Sequence, residues 1–173
     1  YKRHFPAINW LTSYSLYQEK VDVWADKNVN DNFSAQRAQA MKLLQVESEL
    51  QEIVQLVGVD SLSDGDRLIL EVTRSIREDF LHQNSFHEVD TYTSLHKQYR
   101  MMGLILKFYK SAQDAIKQNV TINDIIKLSV LEKIGRAKYV EEGDIDAAYD
   151  SIEDEIDNEL ADLIKKRGAE ELW

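Results

Sequence analysis

An all-α fold, a helical bundle of about five helices behind an irregular aromatic lead-in, is what this sequence of 173 residues predicts. Glycine occurs 6 times and proline once, so the punctuation that hairpins and sheets need is nearly missing. Over long stretches apolar residues recur every three or four positions instead of alternating, which is the period of a helix with one buried face. The lead-in differs: Phe5, Trp10, Tyr14, Tyr17 and Trp24 crowd large rings into residues 1–24, and Pro6 pushes Phe5 toward an extended backbone. A loop or strand end followed by a short helical turn is expected there, with the helical domain proper occupying residues 25–173.

The first long helix is expected to start at Ser34 as N-cap, to carry Met41, Leu44, Leu50, Ile53, Val54 and Val57 inward, and to stop at Gly58. Ser63 with Asp66 three residues on is a capping box with Asp in place of Glu, opening a second helix with Leu68, Val72, Ile76 and Phe80 on one face. Between them Asp60 to Asp66 forms an acidic tip. A third helix runs from about Ser94 to Lys117 with Tyr99, Met102, Ile105, Leu106 and Tyr109 inward. Thr121 followed by Asp124 opens a fourth, which Gly135 stops. The fifth extends from Asp144 to about Arg167, with Gly168 as its C-cap and Ile145, Ala148, Tyr149, Ile152, Ile156, Leu160 and Leu163 along one face. From Glu141 to Asp162 there are many carboxylates and no Lys or Arg, which reads as a solvated helix face.

Composition removes several classes of function. With 21 Lys and Arg against 31 Asp and Glu, the formal charge of -10 leaves no broad basic field for a nucleic-acid backbone. The longest apolar run, Met101 to Leu106 with Gly103 inside it, is far short of the roughly 20 residues that span a bilayer, so no direct membrane insertion is expected. Cysteine is absent, which excludes a disulfide scaffold and a thiolate nucleophile and fits a reducing compartment. The start carries no initiator Met and no secretory signal pattern, so the chain reads as a cut piece.

Chemistry-bearing motifs are equally sparse. A Walker-A loop needs two glycines five positions apart ahead of Lys and Ser or Thr, and no two glycines here have that spacing. A di-iron bundle wants Glu-x-x-His, and no Glu has His three residues later. His87-Glu88 begins like a zincin motif, but Thr91 stands where the second histidine belongs. His4, His82, His87 and His96 therefore read as surface or capping residues, with no metal expected. On residue chemistry alone this is an acidic helical interaction module.

Longer segments say more. His4-Phe-Pro-Ala-Ile-Asn-Trp-Leu-Thr-Ser-Tyr-Ser-Leu-Tyr17, Glu52-Ile-Val-Gln-Leu-Val-Gly58, Phe80-Leu-His-Gln-Asn-Ser-Phe-His-Glu-Val-Asp90 and Lys107-Phe-Tyr109 follow one another in the order found in the catalytic A subunit of V/A-type rotary ATPases. The chain resembles the C-terminal helical domain of that subunit, in its archaeal and bacterial branch. The resemblance implies a part of an ATP-hydrolysing or ATP-synthesising enzyme whose phosphate loop lies upstream of Tyr1, so the chain alone is expected to be inactive and to hold no bound cofactor. In the whole enzyme ATP or ADP, with Mg at the site in the upstream domain, is the implied ligand. The implied partners are B subunits in an A/B hexamer and the subunits of a central stalk, in a cytoplasmic sector peripheral to the membrane.

More distantly, Phe5-Pro-Ala-Ile-Asn9 is similar to the Tyr-Pro-Ala-Val-Asp segment of the β subunit of F-type ATP synthases, whose tyrosine stacks on adenine. The resemblance makes Phe5 one wall of an adenine pocket and Phe86 a second ring, with Gln83 and Asn84 near the adenine edge. It also makes Asp60, Leu62, Asp64 and Asp66 the contact with the rotor, although Ser61 and Gly65 replace acidic residues of the relative. A hinge is expected near Pro6 to Trp10, and the rings from Trp10 to Tyr17 are expected to be exposed. The competing readings are an ordinary core for the two phenylalanines, a plain solvated turn for the tip, and a stand-alone interaction module for the whole.

Overall fold

The computed structural model describes residues 9–12 and 15–170. Seven helices follow one another: α1 Gln18–Asn28, α2 Phe33–Val57, α3 Asp64–Ser75, α4 Leu95–Lys117, α5 Ile122–Ile125, α6 Val130–Arg136 and α7 Ile145–Glu170. Among the described residues there is no strand, so the all-α expectation holds. A single turn of 3-10 helix, Val59–Ser61, joins α2 to α3, and α3 runs on into a π-helical turn over Ile76–Leu81. The core lies where α4 packs between α7 and α3, with α2 on its flank. Leu104, Ala112 and Ala115 of α4 meet Tyr149 and Ile156 of α7 and Leu68 of α3 with no residual exposure.

Local chemistry explains the element boundaries. Gly58 ends α2 at φ 86°, a conformation that disfavours side chains, and its N–H donates to the Val54 carbonyl at 2.9 Å. The Ser63 hydroxyl accepts the Asp66 N–H at 3.2 Å, the forward half of a capping box, and the return bond runs from the same hydroxyl to the Asp66 carboxylate at 2.7 Å, where the full motif uses the N-cap backbone N–H. Ser94 caps α4 in the same way, accepting from Lys97 N–H at 3.0 Å.

Four expectations need correction, and in most of them the deciding partner lies in another helix. A full helix, α1, stands where only a short helical turn is expected, crossing the lead-in boundary at residue 24 and lying on α2 through buried Ala25. Ser34 is not the N-cap of α2: the helix begins at Phe33, and Asp26 reaches across from α1 to accept the Ser34 N–H at 2.7 Å and its hydroxyl at 2.6 Å. Those bonds from Ser34 hold the Asp26 carboxyl below the usual aspartate value. The fourth helix is broken in two between Ile125 and Val130, because the Glu159 carboxylate of α7 accepts from Ser129 Oγ and, at 3.1 Å, from Val130 N–H, starting α6 afresh. Gly168 is no C-cap: α7 continues through it to Glu170, the modest helix penalty of glycine being insufficient to stop a long packed rod.

The acidic stretch of α7 is likewise more than a solvated face. Arg100 of α4 pairs with Asp146 and Asp150 at 2.7 Å each, Lys107 with Asp157 at 2.8 Å, and Lys133 of α6 with Glu155 at 2.6 Å. The cations missing from the stretch Glu141 to Asp162 are supplied by the helices beside it.

Lys97 is the one buried cation of the described core, with no exposed area. Its ammonium donates to the carbonyls of Lys138, at 2.9 Å, and Val140, closing the turn between α6 and α7. Burial pushes its pKa down, while Glu142 and Asp90 pull it back up. Glu142 in turn accepts from the Ser94 N–H at 3.1 Å and the Ser94 hydroxyl at 2.7 Å. Partial burial raises the Glu142 carboxyl, but the Ser94 bonds and the Lys97 charge outweigh it, and the net shift is downward.

A carboxyl with a depressed folded value contributes stability that is complete above the unfolded value, about 4.3, and is lost as pH falls through the lower folded value. Glu142→Gln is therefore expected to melt below the parent chain at pH 6 and to approach it at pH 3. Parallel melting curves with a constant gap at both pH values would contradict this.

Candidate functional site

Two edges of the bundle display the residues singled out by sequence. The first is the loop of residues 82–94, which leaves the π-helical turn and returns into α4. It is closed on itself by its own polar groups. Asp90, only 3% exposed, accepts the Asn84 N–H at 2.6 Å through its carboxylate. The Gln83 side-chain amide donates to the Asp90 carbonyl and to the Thr91 carbonyl at 3.3 Å. The Asn84 side-chain carbonyl accepts the Phe86 N–H at 3.0 Å, an Asx turn that starts the tip of the loop. Thr91 Oγ1 lies within hydrogen-bond distance of two carbonyls, those of Ser85 at 3.1 Å and His87 at 2.7 Å.

The His87 ring secures the far side. Its Nδ1 accepts from the amides of Val89 at 3.2 Å and Asp90 at 3.4 Å. The ring lies against Tyr139 with centroids 4.4 Å apart, and the Lys138 ammonium donates to the Glu78 and His82 carbonyls. The loop is thereby tied to the turn that Lys97 closes.

This braced loop presents the Phe86 ring to solvent, 96% exposed. Tyr92 leaves the same loop 83% exposed, a ring that the sequence reading did not single out. Gln83 and Asn84 lie in the same loop as Phe86, and each has a side-chain group engaged within it. Behind the loop lies a cavity of about 240 Å³ lined by Trp10, Phe80, Leu81, Gln83, Asp90 and neighbouring residues. Trp10, half-buried against the core, brings the lead-in to the back of this loop. Phe5, the other candidate ring, lies outside the described residues, as do Pro6 and Tyr14. Of the lead-in rings that are described, Tyr17 and Trp24 are exposed and Trp10 is not.

The second edge is the tip between α2 and α3. Asp60 points outward and Leu62 is half-buried. Asp64 and Asp66 have internal tasks: the Asp64 carboxylate accepts the Ile122 N–H at 3.0 Å, and Asp66 completes the Ser63 capping box. The inward stripe expected for α2 fails here, since Ile53, Leu56, Val57 and Val59 are all exposed, Leu56 by 85%. At 25 residues α2 is longer than the core it covers, and its last two turns project beyond Leu50. Comparing the length of α2 with the 12 residues of α3 is the signal that would have revealed this overhang. Among the described residues no three His, Asp or Glu side chains come together as metal ligands.

These features define an all-α bundle that displays an aromatic loop at one edge and a mixed acidic and apolar hairpin tip at another. The family model for the C-terminal domain of V and A type ATP synthase matches residues 22–126. The V-type ATP synthase alpha chain of Thermoanaerobacter pseudethanolicus is 57% identical over 170 residues, 98% of this chain and 29% of that protein. That of Acetivibrio thermocellus is 54% identical over 166 residues, 96% of this chain and 28% of the relative, and that of Clostridium perfringens is 55% identical over 168 residues, with 97% and 28% covered. The chain belongs to the family of C-terminal domains of V/A-type ATP synthases, and it spans less than a third of the length of these relatives.

Proposed function

We propose that this chain works as the C-terminal helical domain of the catalytic subunit of a V/A-type ion-translocating ATPase, completing the adenine pocket and transmitting closure of the nucleotide site to the central rotor stalk. The observation that carries the reading is its 57% identity, along almost its whole length, to a V-type ATP synthase alpha chain. Phosphate and Mg chemistry would belong to the remainder of the subunit, in a hexamer with B subunits. Among the described residues no helix is long and apolar enough to cross a membrane, in keeping with a place in the peripheral cytoplasmic sector.

Phe86 supports the adenine assignment. A phenyl ring left 96% exposed on a loop closed by this many hydrogen bonds is costly in water and useful against a base. Phe5 would supply the opposing ring. Only four residues separate it from Trp10, five steps of chain with a reach of up to about 17 Å, and Trp10 already lines the cavity behind the Phe86 loop. Gln83 and Asn84 stand at the adenine edge in this reading.

At the other edge Asp60, Leu62, Asp64 and Asp66 would press on the stalk. Asp64 and Asp66 set the shape of the tip, while Asp60 and the apolar end of α2 offer the contact surface. Torque then passes by shape as much as by charge, and the packed bundle moves as a unit about a hinge near Pro6 to Trp10.

The test is Leu62→Ala with Asp64→Ala in the complete ion-pumping complex, where ATP-driven ion transport per ATP hydrolysed is expected to fall severalfold. Transport and hydrolysis both equal to those of the parent enzyme would remove the rotor assignment.

A further inference from the structure

We propose that Asp90 and Thr91 are positioning residues for nucleotide binding, fixing the loop of residues 82–94 so that the Phe86 ring is held out in one orientation before the base arrives. This rests on the reading of Phe86 as an adenine-facing ring. Asp90 is buried and Thr91 half-buried, and each has a side-chain oxygen engaged within the loop. Asp90 is 3% exposed, its carboxylate taken up by the Asn84 N–H at 2.6 Å and facing the charge of Lys97. Thr91 Oγ1 bridges the Ser85 and His87 carbonyls, the residues on either side of Phe86.

The geometry resolves the loop into two supports. Asp90 holds its base, since the Asn84 amide it binds precedes the Asx turn whose oxygen takes the Phe86 N–H at 3.0 Å. Thr91 holds its tip, since its single O–H proton, shared between the His87 carbonyl at 2.7 Å and the Ser85 carbonyl at 3.1 Å, draws the backbone on both sides of Phe86 toward one point. A ring on a slack loop would have to lose that freedom on binding, and the loss would appear as weaker affinity. A ring already fixed binds substrate and transition state alike, so loss of positioning raises KM more than it lowers kcat.

The experiment measures KM and kcat for ATP in the complete enzyme for Asp90→Ala, Asp90→Asn, Thr91→Val and, as reference, Phe86→Ala. Asp90→Ala and Thr91→Val are expected to raise KM about tenfold with kcat within about twofold of the parent. Asp90→Asn, which keeps an oxygen to accept the Asn84 N–H, is expected to restore KM to within about twofold. If Phe86→Ala raises KM while Asp90→Ala and Thr91→Val do not, the positioning inference is overturned and the adenine reading stands. If Phe86→Ala leaves KM unchanged, the adenine reading itself falls. Failure of the asparagine to rescue would assign Asp90 to charge balance with Lys97 and overturn its positioning role. Should Asp90→Ala fail to assemble, the isosteric Thr91→Val decides, and an unchanged KM there counts against the proposal.

Discussion

Replacing Phe86 by alanine in the complete catalytic subunit is expected to raise KM for ATP by about 5- to 150-fold, the equivalent of about 1–3 kcal/mol of base stacking. The ring is 96% exposed, so its removal takes no packing from the bundle and the melting temperature of the chain should stay where it is. That separation of binding from stability makes the result easy to interpret. Tryptophan at the same position should retain most of the affinity, because stacking asks for a ring face and the loop leaves space around it. Hydrolysis kinetics over a range of ATP concentrations, beside a melting curve of each variant, provide the check.

Lys97→Ala acts in the opposite sense, on stability. Two carbonyls, of Lys138 and Val140, lose the donor that closes the turn between α6 and α7, and Asp90 loses the cation it faces. Orphaned buried acceptors and an uncompensated carboxylate together cost about 3 kcal/mol. For a chain of this length that lowers Tm by about 6–12 °C. Lys97→Met keeps the packing of the stem but not the charge, so it should recover only part of the loss. A Tm within about 2 °C of the parent for both variants would show that the ammonium is dispensable.

The lysine also bears on how the loop is held. Its carbonyl partners flank Tyr139, whose ring lies on His87, and Lys138 donates to the carbonyls of Glu78 and His82. The scaffold under Phe86 is therefore the junction of α6 and α7 as much as the loop itself. Loss of Lys97 is expected to lower stability first and loosen the loop as a consequence.

Much of the bundle was legible because its signals are local. Gly58 as a stop, Ser63 and Ser94 as caps, and the apolar faces of α3, α4 and α7 depend on residues within one or two turns of each other. What escaped depends on partners far along the chain. Asp26 caps α2 from another helix, Glu159 starts α6 from 29 residues away, and Arg100 and Lys107 answer the carboxylates of α7 across the bundle. Helix α1 escaped because the sequence advertises its rings, while its attachment is one small residue, Ala25, the bonds of Asp26 to Ser34 and an Asp22–Arg37 ion pair at 2.6 Å.

The candidate site divides in the same way. Phe86 could be found only through resemblance to a family, since an isolated phenylalanine carries no spacing signal. Its bracing by Asp90 and Thr91 is visible only in the fold, because the loop folds back over the five residues between Asn84 and Asp90 in no regular period. At the tip, periodicity assigned Ile53 and Val57 inward with good reason, and only the overhang of α2 beyond its neighbours turned them outward.

The most direct test is the structure of the complete catalytic subunit with ADP bound. The account predicts the Phe86 ring facing the adenine at a centroid separation of about 4.5–7 Å, with the loop of residues 82–94 unchanged from its conformation here. A nucleotide pocket closed entirely by other residues, with Phe86 still in solvent on the far side of the bundle, would contradict it.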